Sequence, residues 1–355
     1  MSFKTTALSA AISAALGMAA AGTASADALL APWVKASAAD GFQTYLMMKV
    51  EGYGYEDDRF DDTSDLHYFF YEWDGETDGL PCPKFDRRGV VSSWDMVFQS
   101  VSTNPAGYTG PAGDQSEPVQ VFDDFEGFLI VDDEDASSSS EGNFSGFVYV
   151  VDLANGLIAD YKMLNNPNSM DSGDFSDPSV SKTVADMAWW PQDVITTEWL
   201  VLATGKAMTE GEAGTPSNAI HWDGAVDIRH CNAPYEDPEA PPGCGYPDPF
   251  GGQQGAYDND EALVSGFSPE KVVCMGWVDP TDLLGSNQLG FTVNGGWTRV
   301  NFVPVPWKTG EDITSTGAVV YRQDTSNALG FPIYTFVQEA AGTTTSAPGG
   351  VNAPY

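Results

Sequence analysis

Short runs of β-branched and aromatic residues recur along the whole chain, and each is closed by an acidic, glycine-rich or proline-rich stretch. That alternation is the signature of many short strands joined by exposed loops. The clearest case is a doublet. Phe125-Glu126-Gly127-Phe128 runs into Leu129–Asp132, and Phe144-Ser145-Gly146-Phe147 runs into Val148–Asp152. Each copy reads Phe-x-Gly-Phe followed by strand-forming residues. Between them, Asp133 to Asn143 is acidic and serine-rich, with nothing to bury. The pattern predicts two neighbouring strands joined by an exposed loop, near the centre of a β-rich domain.

Other segments follow the same rule. Leu29 to Val50 predicts a strand, a turn at Ala39-Asp40-Gly41 and a second strand. Leu66 to Trp73 lacks period-two contrast, so both of its faces are covered. Val90 to Val101 is apolar at irregular spacing and reads as strand or short helix. Leu157 to Leu164, Ile195 to Ala203, Ala219 to Ile228, Val272 to Val278, Ala318 to Tyr321 and Ile333 to Val337 are further strands. Leu289 to Val303 holds Asn294-Gly295-Gly296, a hairpin signal. Asp171 to Asp186 is polar, with room for one short helix. No segment of ordinary helix length shows a 3.6-residue period, and no third copy of the doublet makes a solenoid. The expected fold is all-β: an antiparallel β-sandwich or a jelly-roll-like arrangement, with long acidic and Gly/Pro-rich loops.

The first 26 residues change the picture of where this domain works. One Lys, a small-residue apolar run and Ala24-Ser25-Ala26 read as a secretory signal peptide. The domain expected after it spans 27–341, with a subdivision point near 165–190 and a loose tail over 342–355. No later run approaches the 18 apolar residues of a spanning helix, so a helical integral membrane protein is not expected. Formal charge is −36, with 51 acidic residues against 15 basic ones. Such a charge repels nucleic acid and anionic lipid and attracts divalent cations. The 10 Trp, 14 Tyr and 19 Phe supply a core that a disordered acidic chain would lack.

Four cysteines, Cys82, Cys231, Cys244 and Cys274, in an exported chain favour two disulfides, for which three pairings exist. Cys231 and Cys244 flank the proline-rich loop NAPYEDPEAPPG and are taken as one pair, which leaves Cys82 with Cys274. Zinc is the weaker reading, because no C-x-x-C spacing occurs.

Candidate chemistry is sparse. Asp132, Asp133 and Asp135 with Glu141 offer oxygens for calcium in a loop; the competing reading is a solvated acidic surface. Asp57-Asp58 with Asp61-Asp62, and Asp258 with Asp260-Glu261, are similar clusters. His221 and His230 flank WDGAVDIR and could serve copper or zinc. His67 lies in an aromatic strand and reads as a core histidine. Among the tryptophans, Trp73, Trp94, Trp189, Trp190, Trp222, Trp277, Trp297 and Trp307 could stack on sugar rings from a sheet face. Trp189-Trp190 is the strongest of these, because neighbouring strand positions point to opposite faces. The alternative for the whole set is core packing. No nucleophile elbow and no phosphate-cradling loop is found, and carboxylate pairs are uninformative where acids are so many.

Several short motifs, in their order along the chain, resemble a loose group of uncharacterised secreted proteobacterial proteins. They are Leu29-Leu30-x-Pro32-x-Val34, Leu66-His67-Tyr68, Cys82 followed by Phe85-Asp86-x-x-Gly89, Phe125-x-Gly127-Phe128, Cys274-x-Gly276-x-Val278-Asp279, and Asn294-Gly295-Gly296-Trp297. The resemblance implies export and a single architecture, and it favours a Cys82–Cys274 pair. It implies no activity.

Three functional expectations follow. The first is an exported non-enzymatic structural protein of the cell surface or extracellular matrix, self-assembling through Ala28 to Val34 as a strand donated to a neighbour. The second is a periplasmic, surface or extracellular binding module for carbohydrate or a divalent metal, calcium before copper. The third, a secreted hydrolase, needs two carboxylates facing across a cleft.

Overall fold

A computed structural model describes residues 28–50, 63–73, 81–92, 96–102, 122–133, 144–165, 175–176, 180–205, 208, 221–231, 256–258, 263–264, 270–284, 294–326 and 333–338. The expected leader, the tail over 342–355, and Cys244, Asp135 and Glu141 lie outside these residues.

Nineteen strands are described. β1 (Ala28–Ser37), β2 (Phe42–Val50), β3 (Thr63–Glu72), β4 (Lys84–Ser92), β5 (Met96–Ser100), β6 (Asp124–Asp133), β7 (Phe144–Asp152), β8 (Leu157–Lys162) and β9 (Leu164–Asn165) make a first sheet. The rest of the chain supplies β10 (Val184–Trp189), β11 (Thr196–Gly205), β12 (Ala225–His230), β13 (Ala256–Asp258), β14 (Leu263–Val264), β15 (Glu270–Val273), β16 (Met275–Val278), a short helix α1 (Pro280–Leu284), β17 (Gly296–Val305), β18 (Ser315–Ser326) and β19 (Ile333–Gln338). Of these, β10, β12–β15 and β17 form a second sheet, and β11, β16, β18 and β19 form a third. The strand pairings are antiparallel, as the turn-rich sequence leads one to expect.

The third sheet is the middle of a three-layer stack. On β11, Leu200 and Leu202 join the core against the first sheet, while Trp199, Val201 and Ala203 join the core against the second. On β18 the same split places Val319 and Tyr321 on one side and Ala318 and Val320 on the other. Alternation sends successive side chains to opposite faces, so a strand buried on both sides must be apolar throughout. This is why Glu198-Trp-Leu-Val-Leu-Ala203 shows no polar period. Sheet membership changes between Asn165 and Val184, where a subdivision was expected, yet one core runs across the change and joins Tyr161 to Tyr321 and Phe336.

The doublet proves to be two strands of one sheet but not neighbours. The order is β4-β3-β6-β1-β2-β7-β8, so the β1–β2 hairpin sits between β6 and β7. For the same reason Ala28 to Val34 is neither a donated strand nor an edge strand. It pairs with β6 on one side and with β9 on the other, and its residues are buried. On that second side of β1, β9 holds Leu29 and Leu30 and β2 holds Ser37. Since β2 pairs β7 and β7 pairs β8, the chain β1-β2-β7-β8-β9 closes a ring.

Pro32 and Trp33 lie where the β1–β6 register shifts, the position at which a proline is tolerated within a sheet. Across the ring, two hydroxyls meet the backbone of β1 at Trp33 and Lys35. Tyr161 donates to the Trp33 carbonyl and accepts from the Trp33 N–H at 3.2 Å. Thr44 Oγ1 donates to the Lys35 carbonyl at 2.6 Å and accepts from the Lys35 N–H at 3.0 Å. A hydroxyl can do both at once.

Other differences from expectation are local. Val272 to Val278 is two strands, with the chain leaving the second sheet for the third at Cys274, whose φ is +61°. Val90 to Val101 contributes strand, not helix. The polar stretch ending at Asp186 gives way to β10 from Val184. One helix went unread: Asp279 caps α1 by accepting from the N–H groups of Thr281 and Asp282, and Asp282 returns a bond from the Asp279 N–H at 2.9 Å. Asp279-Pro280-x-Asp282 carries that signal, a cap with proline at the first helical position, over a helix of only five residues.

Cys82 and Cys274 form a disulfide, with Cα atoms 6.1 Å apart and 192 positions between them in sequence. They sit where all three sheets meet. The Trp222 N–H donates to the Cys82 carbonyl, the Ala203 N–H to the Cys274 carbonyl, and the Cys274 N–H to the Gly224 carbonyl. Cys231 is also disulfide-bonded. Among the described residues, no helix is long and apolar enough to cross a membrane.

Candidate functional site

β17 explains why one face of the second sheet is chemically equipped. Thr298, Val300 and Phe302 are buried and point to the core. Trp297, Arg299, Asn301 and Val303 therefore share the outer face. β10 flanks β17 on one side, and β12 and β13 follow one another on the opposite side. Register then places Ala188 beside Trp297, Asp186 beside Arg299, Arg229 beside Asn301, and Asp227 beside Val303.

Two ion pairs are built on that grid. Arg299 grips Asp186 with both arms, Nε to Oδ1 at 2.6 Å and Nη2 to Oδ2 at 2.8 Å. Arg229 Nη2 meets Asp227 Oδ2 at 2.6 Å. The side chains of Asp186 and Arg229 are 45% and 44% exposed, and that of Arg299 is 32% exposed. Trp297 is half-buried next to the small Ala188. A planar fork on a planar carboxylate fixes both groups.

The sequence-predicted sites fare differently. Trp189 is a core residue, packed edge-on against Trp199 at 6.4 Å, so it cannot stack on a ligand. Trp190 faces the other way, as alternation requires, but its Nε1–H donates to the buried Asp324 at 3.3 Å. Trp222 is also core, and its Nε1–H donates to the Ala203 carbonyl at 2.8 Å. Trp297 is half-buried, with Ala188 of β10 and Tyr257 of β13 as its register neighbours.

His221 and His230 are not brought together. His221 pairs with Pro83 at one end of β12, and its ring lies 6.3 Å from that of Trp307. His230 closes the other end, opposite Val300, about 17 Å along the strand from Ala225. Its Nδ1 lies 2.6 Å from Thr298 Oγ1 and its Nε2 3.2 Å from the Leu283 carbonyl. The carbonyl can only accept, so Nε2 carries the proton and Nδ1 accepts from the threonine. Both nitrogens serve the fold. Burial pushes this imidazole down to about 4, against a partial rise from the Leu283 bond.

Asp132 is buried in β6, opposite the buried His67 on β3, rather than in a loop. Asp133 ends the same strand. Nε2 of His67 is 3.7 Å from Asp86 Oδ2. Among the described residues no group of three or more His, Cys, Asp or Glu is placed to hold a metal ion.

Two polar clusters were not read from the sequence at all. Glu126 Oε1 accepts from the indole N–H groups of Trp33 and Trp277, each at 3.1 Å, and its Oε2 from Lys35 at 2.7 Å. This carboxylate joins the first sheet to the middle one. Glu198 has its carboxyl raised by burial, then by the nearby Asp279 and Asp282. The first depends on contacts across more than 90 positions, for which a single sequence carries no signal. Compared with family models, with curated proteins and with solved structures, the chain shows no match.

Proposed function

We propose that the chain is an exported, non-enzymatic structural protein of the cell surface or extracellular matrix. The Cys82–Cys274 bridge carries this reading, because it ties the first sheet to the junction of the other two across 192 positions. A long-range disulfide of this kind belongs to an oxidising compartment and removes entropy from the unfolded chain. The charge of −36 supports the same reading, since it keeps an extracellular surface hydrated and dispersed.

Fractionation of cells making the full-length chain, with thiol alkylation before lysis, tests it. The expected result is recovery in the surface or matrix fraction with no alkylated cysteine. Recovery in the cytosol with alkylated thiols overturns it, as does free release into the medium accompanied by turnover of a polymeric substrate.

A further inference from the structure

We propose that two copies of the chain associate symmetrically through the outer face of β2, β7 and β8, with Phe147 of each copy against Tyr149 of the other and Lys162 against Asp160. Alternation defines the face. Val148, Val150, Ala159 and Tyr161 are buried in the core, so Phe147, Tyr149, Asp160 and Lys162 point away from it. On β2 the buried Leu46 and Met48 send Met47 to the same side. Met47, Phe147 and Tyr149 are half-buried there, and Asp160 and Lys162 are exposed.

Register sets these side chains in two rows. Met47, Phe147 and Lys162 stand side by side in one, and Tyr45, Tyr149 and Asp160 in the next. The rows lie about 7 Å apart, two residues along each strand. A two-fold axis running across the strands between the rows turns one row onto the other. Phe147 then meets Tyr149 of the second copy, Lys162 meets Asp160, and Met47 meets Tyr45. Every contact occurs twice, as an isologous interface requires. Aromatic and apolar groups fill the middle, and opposite charges lie at one rim, which is the anatomy of a protein contact. The Tyr45 hydroxyl already donates to Gln43 at 2.6 Å, so the weight of the contact falls on β7 and β8. Val151, in register with Gln43 and Ile158, is buried and ends the patch.

Charge selects a second copy as the occupant. The whole chain has 51 acidic residues against 15 basic ones, yet the outward positions of these three strands carry one acid, Asp160, and two lysines, Lys49 and Lys162. A chain at −36 repels its own kind, and on this face the repulsion is least. Among the described residues, no ion pair engages Asp160 or Lys162. Across the axis each finds the opposite charge. A glycan fits less well, because Met47 and Phe147 offer its hydroxyls no hydrogen bond.

Sedimentation velocity of the full chain, from about 1 to 200 μM in buffered saline, tests this. A reversible monomer–dimer equilibrium is expected, with a Kd of about 10 to 100 μM for a contact below standard size. Lys162→Asp and Asp160→Lys, each of which sets like charges across the axis, should each weaken it at least tenfold. The double variant restores the complement and should associate as the parent does. Phe147→Ser should also lose at least tenfold. Should it fail to fold by near-ultraviolet circular dichroism, the charge variants, both at exposed positions, carry the test alone. A parent that stays monomeric throughout overturns the proposal. So does a dimer that neither single charge reversal weakens, or a double variant no stronger than the single ones. These outcomes are independent of where the protein is found in or on the cell.

Discussion

The phenol of Tyr161 stands in for a missing strand opposite Trp33, donating to its carbonyl and accepting from its N–H. Both backbone groups are buried, and the register shift at Pro32 and Trp33 leaves them without β6 as a partner. Tyr161→Phe keeps the ring and its contacts with Tyr321 and Phe336 while deleting the hydroxyl that bonds both groups. Two orphaned buried groups cost about 1 to 3 kcal/mol each. The variant should lose about 3 kcal/mol in urea unfolding, with an unchanged dependence on urea concentration. A loss below about 0.5 kcal/mol would show that Trp33 finds other partners.

The disulfide makes a larger prediction with an internal control. For a loop of 192 residues, the chain-entropy estimate puts the contribution of Cys82–Cys274 at about 5 kcal/mol. Both cysteines hold left-handed backbone, φ +37° and +61°, which costs a residue bearing a Cβ. Cys82→Ala with Cys274→Ala should therefore lose several kcal/mol. Cys82→Gly with Cys274→Gly loses the same bridge but relieves the backbone, and should be the more stable pair by about 1 kcal/mol per site. If the alanine pair equals the glycine pair in denaturant midpoint, the left-handed conformations carry no strain.

How much of this was readable in advance depends on the range of the signal. The strand at Ile195 to Ala203 was plain because an apolar run without period two admits few readings, and β11 spans Thr196–Gly205. The Asn294-Gly295-Gly296 signal was misleading: Gly295 takes φ +70°, but β17 is paired from Gly296 by β10 on one side and β13 on the other, which leaves no place for a hairpin partner. Partner choice was hidden. Phe125–Asp132 and Phe144–Asp152 carry the same pattern, and nothing in either says that a hairpin from the first 50 residues will separate them. The outer face of the second sheet shows the same divide. Trp297 could be named as a tryptophan on a strand, but only register with β10 reveals that Asp186 stands beside Arg299. Trp189 looked as good as Trp190, because alternation tells that the two differ in direction and not which one is buried.

His230 and Glu198 should make stability respond to pH in opposite senses. The unfolded chain takes a proton on His230 near 6.5, while the folded chain refuses it until about 4. Stability from this group is full above pH 6.5 and is lost as pH falls through that window, by about 3 kcal/mol at the bottom. For Glu198 the folded carboxyl sits above its ordinary 4.5, so the folded chain holds the proton more tightly, and stability from this group rises as pH falls toward that value. His230→Gln should flatten the acid loss in thermal unfolding between pH 6.5 and 4.5 relative to the parent. Glu198→Gln should raise Tm at pH 7, with the gain shrinking as the solution is acidified. A Glu198→Gln advantage that grows on acidification would contradict the assigned direction.

The two glycines of the repeated Phe-x-Gly-Phe pattern are predicted to differ sharply in what they tolerate. A Cβ on Gly127 would lie 1.9 Å from the Tyr71 carbonyl oxygen and 2.9 Å from its carbon, with the Phe125 ring at 3.0 Å. That backbone belongs to β3, paired on both sides by β4 and β6, and cannot withdraw. A Cβ on Gly146 meets Met163 Sδ at 2.4 Å, then Met163 Cγ and Met48 Cγ at 3.2 Å. Those are side-chain atoms of methionines, which repack by rotation about several bonds. Gly127→Ala should therefore lose about 3 kcal/mol or fail to fold, while Gly146→Ala should lose about 1 kcal/mol or less, since a pleated strand otherwise gains from replacing glycine. Urea midpoints of the two variants decide the matter. Equal losses would mean that the close approach of β3 to Gly127 does not govern that site, and the shared pattern would then need one common cause instead of two different neighbours.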